Sequence, residues 1–250
     1  MDPDSAIFVM PGRTPRLTLR SGRAGGMHGS MATVLVTGAN RGIGLALCQL
    51  LRQRGDEVVA VCRRSSPELD ATGARVIAEV DVTTGHGAVT LAKALGTTRL
   101  DLAILNAGIL RESGLDDLDL GDVREQLEVN AVGPLRIAQT LLPNLGRGAK
   151  LALITSRMGS IADNGSGGAY GYRMSKAALN AAGVSLAIDL RPRGVAVAIL
   201  HPGYVRTDMT GHGGNVEARE AAGMLLARFD ELTLETTGRF LHANGQTLPW

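Results

Sequence analysis

Tyr172 and Lys176 stand four apart in GYRMSKAALNAAGVSLAIDL, a stretch that reads as a helix. That spacing sets a phenol and an ammonium on one helix face, a turn apart. A phenol beside a fixed cation is a proton donor suited to neutral pH. Free tyrosine titrates at roughly 10, and a nearby positive charge favours the phenolate and lowers that value. A drop of about 3 units asks for roughly 4 kcal/mol of differential interaction, which a desolvated cation can supply. Tyr170 lies six before Lys176 and misses that face. A tyrosine and a lysine so spaced are most often surface residues, so the surrounding chain decides what they mean.

The elements that must position them begin after residue 31. ATVLVTG, EVVAVCR, ARVIAEVD, LDLAILNAG, AKLALITS, VAVAILHPG and RFLHA read as strands. Between them, IGLALCQLLRQRG, HGAVTLAKALG, the stretch from about Asp119 to Leu142, the Tyr–Lys stretch and EAREAAGMLLARF carry helical patterns. Strands alternating with helices mean parallel β-α-β units, and runs apolar on both faces suit strands covered by helices. The expected fold is α/β, a single Rossmann domain over 31–250 with a doubly wound seven-stranded parallel sheet and helices on both faces. Such a sheet binds ligands beyond the carboxyl ends of its strands. Gly38, Arg63, Asp81, Asn106, Ser156 and Pro202 all fall just after strands.

Composition bounds the partners. The chain has 250 residues, 44% hydrophobic but only 3% aromatic, so its core is built from Ala, Val, Leu and Ile. A net charge of +2 gives no nucleic-acid or anionic-membrane footprint, and no apolar run is long enough to span a bilayer. Cys48 and Cys62 form neither a disulfide framework nor a metal-ligand spacing and read as small core residues. The cytoplasm is the expected compartment. Residues 1–30 read as a disordered extension or an upstream start: IFVM is too short for a signal-peptide core, and Asp2 and Asp4 count against a transit peptide.

TGANRGIG, residues 37–44, follows a strand and opens a helix. Glycines at 38, 42 and 44 allow a tight turn and let a pyrophosphate approach the backbone, while the helix N-terminus offers free N–H groups. The glycine spacing is three between, then one. That variant resembles the short-chain dehydrogenase/reductase family. The resemblance covers nearly all of 32–250 through motifs in the family's order: TGANRGIG, Asp81-Val82, NAG at 106–108, Asn130, Ser156, Tyr172-x-x-x-Lys176 and PGYVRT at 202–207.

The resemblance implies an NADP(H) or NAD(H) oxidoreductase and a role for each position. Gly38, Asn40, Arg41, Gly42, Ile43 and Gly44 would cradle the cofactor phosphates. Asp81 and Val82 would hold the adenine, and Asn106, Ala107 and Gly108 would shape the floor beneath the cofactor. Pro202, Gly203, Val205 and Thr207 would contact the nicotinamide end. Asn106 alone also reads as a turn residue, and Asn130 as a polar residue bending its helix. The family pattern makes Asn130 the water-holding member of a tetrad with Ser156, Tyr172 and Lys176. In that tetrad Tyr172 donates a proton to a carbonyl oxygen, Ser156 positions the oxygen, and Lys176 lowers the tyrosine pKa and binds the nicotinamide ribose.

Cofactor choice turns on the end of the second strand. An acid there would accept the adenine ribose hydroxyl of NAD. This chain has Cys62-Arg63-Arg64 instead, which suits the 2′-phosphate of NADP(H), with Arg41 as a further cation; NADP(H) is the expected cofactor over the alternative that these arginines only decorate the surface. The stretch between Ser156 and Tyr172 is longer than most of the family has. With the ending NGQTLPW, it resembles the C-factor-like and sniffer-like carbonyl reductase branch. The expected activity is NADPH-dependent reduction of a small aldehyde or ketone. The alternatives are an NADP-binding signalling or sensor protein, or alcohol oxidation. Met158, Ile161, Tyr204 and the 110–115 stretch are pocket candidates. The family's habit and the small residues Ala177, Ala178, Ala181 and Ala182 imply a homodimer or homotetramer, although those alanines also suit packing on the chain's own sheet.

Overall fold

The computed structural model describes residues 31–250, so the expectation for residues 1–30 lies outside the described residues. The chain runs β1 (Thr33–Thr37), α1 (Gly42–Arg54), β2 (Glu57–Val61), a single turn α2 (Pro67–Asp70), β3 (Arg75–Ile77), α3 (Gly85–Leu95) and β4 (Leu100–Leu105). Next come α4 (Leu120–Leu127), a π-helical segment (Glu128–Val132), α5 (Gly133–Leu141), β5 (Leu145–Ile154) and a 3-10 turn (Arg157–Gly159). Then follow α6 (Tyr170–Leu190), β6 (Ala196–His201), β7 (Val205–Arg206), β8 (Val216–Glu217), α7 (Ala218–Glu231) and β9 (Phe240–His242).

Seven strands form one parallel sheet in the order β3-β2-β1-β4-β5-β6-β9, as the alternation of elements implies. The order reverses between β1 and β4, so their carboxyl ends open the crevice where such sheets bind ligands. Side chains alternate across every central strand. Leu35, Leu151, Leu153, Val197 and Ile199 join the core beneath α3, α5 and α6. Val34, Val36, Ala152, Ala198 and Leu200 join the core beneath α1 and α7. Gly183 lets α6 lie close on the sheet: a Cβ there would stand 2.7 Å from Cδ1 of Ile199. Cys48 and Cys62 are both buried, and burial pushes the Cys48 thiol up to about 12, so it is inert packing at neutral pH.

Three details depart from the linear pattern. Two-residue strands carry no readable period, so the parallel β7–β8 pair is visible only in the fold. The single helix expected over 119–142 is broken by the π-helical segment that contains Asn130. The run ARVIAEVD yields only a three-residue strand, after which Glu79 takes a left-handed φ of 61° and the chain turns toward Asp81.

Candidate active site

The glycine loop joins β1 to α1. Gly38 and Gly42 have φ of 64° and 54°, a conformation glycine adopts without strain. Gly44 is a matter of space: a Cβ there would lie 2.1 Å from the Gly38 carbonyl oxygen. Arg41, at the N-cap of α1, makes no side-chain capping bond, and the first turn carries no acid. The leading N–H groups and the positive helix end are therefore left for an anion. This cradle, open only because Cβ atoms are missing, fits a dinucleotide pyrophosphate. Ile43 packs on the α1 side of the core, and the Asn40 carbonyl accepts from Ser66 Oγ at 2.9 Å, tying the loop to the segment after β2.

Thr37 and Asn106 lock the floor. The Thr37 hydroxyl oxygen accepts the N–H of Asn106 at 3.0 Å and of Ala107 at 3.1 Å. Asn106 Nδ2 returns to the carbonyls of Thr37 at 3.0 Å and Gly38 at 3.3 Å. Asn106 is thus a clamp between the ends of β1 and β4 rather than a simple turn residue. Gly108 leaves room for Asn130 and Lys176: a Cβ there would lie 3.1 Å from Asn130 Oδ1 and 3.7 Å from Lys176 Nζ.

Beyond the next strand along the sheet, Arg63 and Arg64 are exposed just after β2. Asp81 accepts from the N–H and hydroxyl of Thr83 at 2.9 and 2.7 Å. Those bonds hold its carboxyl below the ordinary range, with Arg63 and Arg136 adding to the effect. Val82 is buried, and its carbonyl accepts from Arg136 at 2.8 Å. The Arg41 guanidinium pairs with Asp208 at 3.6 Å, toward the loop after β7. Both groups of that pair are more than half exposed, so it is worth only about 0–1 kcal/mol.

Ser156 follows β5 and caps the 3-10 turn. Its Oγ accepts the Met158 N–H at 3.2 Å, and its own O–H remains as a donor on the Tyr172 side. Tyr172 and Lys176 project from the first turns of α6. Lys176 is 4% exposed, and its Nζ donates to the Ile154 carbonyl at 3.0 Å. The ammonium lies 5.6 Å from the centre of the Tyr172 ring. Burial pulls Lys176 down to about 8. The phenol shifts upward because burial outweighs the hydrogen bond from Ser156 that favours phenolate. Burial thus outweighs the lowering that a nearby cation was expected to give, and the net shift is upward. In this arrangement desolvation dominates both groups, and the ammonium is directed at a main-chain carbonyl.

Asn130 is fully buried in the π-helical segment. Its Oδ1 accepts from Ile109 N–H at 2.8 Å, and its Nδ2 donates to the Ile109 carbonyl at 2.8 Å and to Ser175 Oγ at 3.0 Å. Both amide hydrogens are committed, so the side chain braces the loop after β4 against α6. Gln126, one turn earlier and 1% exposed, exchanges two hydrogen bonds with the Arg111 main chain and packs against Gly171. After β6, Pro202 is buried, Gly203 has a φ of 97°, and Val205 pairs with Val216. The Thr207 methyl approaches Gly42, so this loop meets the glycine loop.

The structure therefore gathers the sequence-marked positions at one edge of the sheet. Among pocket candidates, Met158 and Leu110 are half-buried, whereas Tyr204 and Leu115 are exposed and Ile161 faces a groove along α6. Thr37, Gln126 and Asn180 were not singled out in the sequence. The available signal for Gln126 was a polar pair, 126 and 130, four apart in a helical pattern.

A short chain dehydrogenase family model matches residues 32–217. The chain is 41% identical over 226 residues to a 1-hydroxy-2-glutathionyl-2-methyl-3-butene dehydrogenase of Rhodococcus sp. strain AD45, covering 88% of this chain and 100% of that protein. It is 45% identical over 160 residues to C-signal of Myxococcus xanthus, covering 62% and 95%. Among solved structures, the carbonyl reductase Sniffer of D. melanogaster superposes with a TM-score of 0.80 at 28% identity, covering 88% and 100%. An NADPH-bound carbonyl reductase from chicken fatty liver gives 0.79 at 31%, covering 88% and 99%.

Proposed function

The chain belongs to the short chain dehydrogenase family, and from that premise we propose that it is an NADP(H)-dependent reductase of aldehydes or ketones with Tyr172 as proton donor. The observation that carries the reading is the Tyr172 phenol beside Ser156, backed by buried Lys176, at the carboxyl edge of the sheet. Likeness to carbonyl reductases, one of them NADPH-bound, supports both the reaction class and the cofactor.

Gly38, Gly42, Gly44 and the start of α1 would hold the pyrophosphate, Arg63 and Arg64 the 2′-phosphate, and Asp81 and Val82 the adenine. Pro202, Gly203, Val205 and Thr207 would border the nicotinamide. When bound, the cofactor supplies the hydride. Tyr172 gives its proton to the carbonyl oxygen as negative charge builds there, so the carbonyl becomes an alcohol. An upward-shifted phenol is still protonated at neutral pH, which is the state a donor needs. The O–H of Ser156, beside the phenol, donates to the same oxygen when substrate is bound and sets its position. Lys176 stabilises the phenolate left behind and steadies the ribose. Asn130 braces this assembly; a water held there would meet its main chain, because its amide hydrogens are taken.

The test is NADPH oxidation with a panel of aldehydes and ketones, including 4-nitrobenzaldehyde, run beside Tyr172→Phe. General acid catalysis is worth roughly 10²–10⁴-fold, and the variant should lose about that much kcat while still binding NADPH. Equal rates in the two proteins would sink the proposal.

Alcohol oxidation is the second reading, favoured by the Rhodococcus relative, which is named for a hydroxy substrate. NADP⁺ reduction with the alcohols matching the carbonyl panel decides the direction. The likeness to C-signal raises a signalling role, but a sensor has no need of a proton donor. A homodimer or homotetramer remains part of the proposal, to be read by light scattering. Ala181 is exposed on α6, while Ala178 packs on the chain's own core.

A further inference from the structure

The segment that orients Ser156 is fastened from outside by Trp250. Gly159, in the turn capped by Ser156, lies directly on α6: a Cβ there would stand 2.6 Å from the Lys176 carbonyl carbon. Asn180 donates to the Gly159 carbonyl at 3.3 Å and accepts from Thr155 Oγ1 at 2.7 Å. Beyond the turn, Ser160 Oγ at 3.1 Å and Ala162 N–H at 2.8 Å both donate to the Trp250 main-chain oxygen. Ser160 is 2% exposed and accepts in turn from Asp163 N–H at 3.0 Å. Asp163 pairs with Arg157, the residue after Ser156. The Trp250 indole is stacked on buried Phe240 of β9, with centroids 5.3 Å apart and planes 25° apart.

We propose that Trp250 is a positioning residue for Ser156: its ring, seated on Phe240, holds its main-chain oxygen against Ser160 and Ala162 and so keeps the Ser156 turn in place. The inference rests on the reading of Ser156 as the group that positions the substrate oxygen. Trp250 touches no reacting atom in this scheme. Its effect passes through residues 157–163, where a displacement of about 1 Å can cost up to roughly 100-fold in rate. Loss of the anchor would leave the Ser160 hydroxyl, buried beside the turn, without its acceptor, and the turn would shift to satisfy it.

The experiment measures steady-state kinetics with NADPH and the panel aldehyde turned over fastest, for Trp250→Ala, Trp250→Phe, Ser160→Ala and Ser156→Ala. Trp250→Ala and Ser160→Ala should each lower kcat by about ten- to a hundredfold, with the KM for NADPH within about twofold of wild type. Trp250→Phe keeps a ring on Phe240 and should restore most of kcat. Trp250 is the chain's single tryptophan, so its emission reports on this contact, and Ser160→Ala should red-shift it. Should Trp250→Ala fail to fold, Ser160→Ala decides alone. Wild-type kcat in a folded Trp250→Ala, or in Ser160→Ala if only that one folds, overturns the proposal when Ser156→Ala is crippled. A Ser156→Ala protein as fast as wild type removes the underlying reading, and the proposal with it.

Discussion

Lys176 donates from its buried ammonium to the Ile154 carbonyl at 3.0 Å, which joins the start of α6 to the end of β5. The contact places the cation behind Tyr172 and beside Gly108, in a setting where water no longer supports the charge. Burial lowers its pKa from 10.5 to about 8.

That shift has a pH signature. Between pH 8 and 10 the unfolded chain keeps a proton on Lys176 that the folded chain has released, so raising the pH stabilises the fold across this window. The gain should reach about 2–3 kcal/mol. Above pH 10 the raised Tyr172 pKa acts in the opposite sense, because the folded phenol keeps a proton that the unfolded one loses. Urea melts from pH 7 to 10 should show the rise in wild type and not in Lys176→Met. Parallel curves would refute the assignment.

The Thr37 hydroxyl accepts two main-chain N–H groups at the floor of the cradle. Thr37→Val leaves both without that acceptor. The expected cost is about 2 kcal/mol of stability, with weaker NADPH binding, and Thr37→Ser should recover most of each. Thermal melts and NADPH titration read the two effects separately.

Gly44→Ala puts a Cβ 2.1 Å from the Gly38 carbonyl oxygen, a backbone atom that cannot swing aside. Overpacking of this kind costs about 1–3 kcal/mol, and the loop must open to relieve it. NADPH affinity should fall with the melting temperature. Gly55→Ala offers a contrast: its φ of 95° strains the backbone, but among the described residues a Cβ there meets nothing within 4 Å, and it lies away from the cradle. It should cost stability and leave affinity alone.

Arg63→Glu should raise the KM for NADPH at least about tenfold, the scale of a charged hydrogen bond, and spare NADH. Arg41→Ala should do much less, because Arg41 is turned toward Asp208. If both variants discriminate the two cofactors as wild type does, the 2′-phosphate is read elsewhere.

Much of this was legible in the linear chain. Strand and helix order showed in apolar periodicity, and the loop at 37–44, the Tyr172–Lys176 spacing and Arg63 are contiguous patterns whose meaning depends on neighbours only a few residues away. The two-residue strands β7 and β8 lacked the length to show a period. Gln126 reads as an ordinary helix residue, and Asn130 stands out only through the family pattern, because their partners, Arg111, Ile109 and Ser175, lie in other segments.

The amino-acid order by itself determined the alternation of elements, the open glycine turn and which phenol shares a helix face with a lysine, since local sterics and side-chain period act over short stretches. Tertiary structure decided the sign of the Tyr172 shift, the turning of Arg41 toward Asp208 and the fastening of the Ser156 turn by Trp250. Desolvation sums over everything packed around a group, and a hydrogen bond needs its two atoms within about 3 Å. Neither condition exists until distant segments have met.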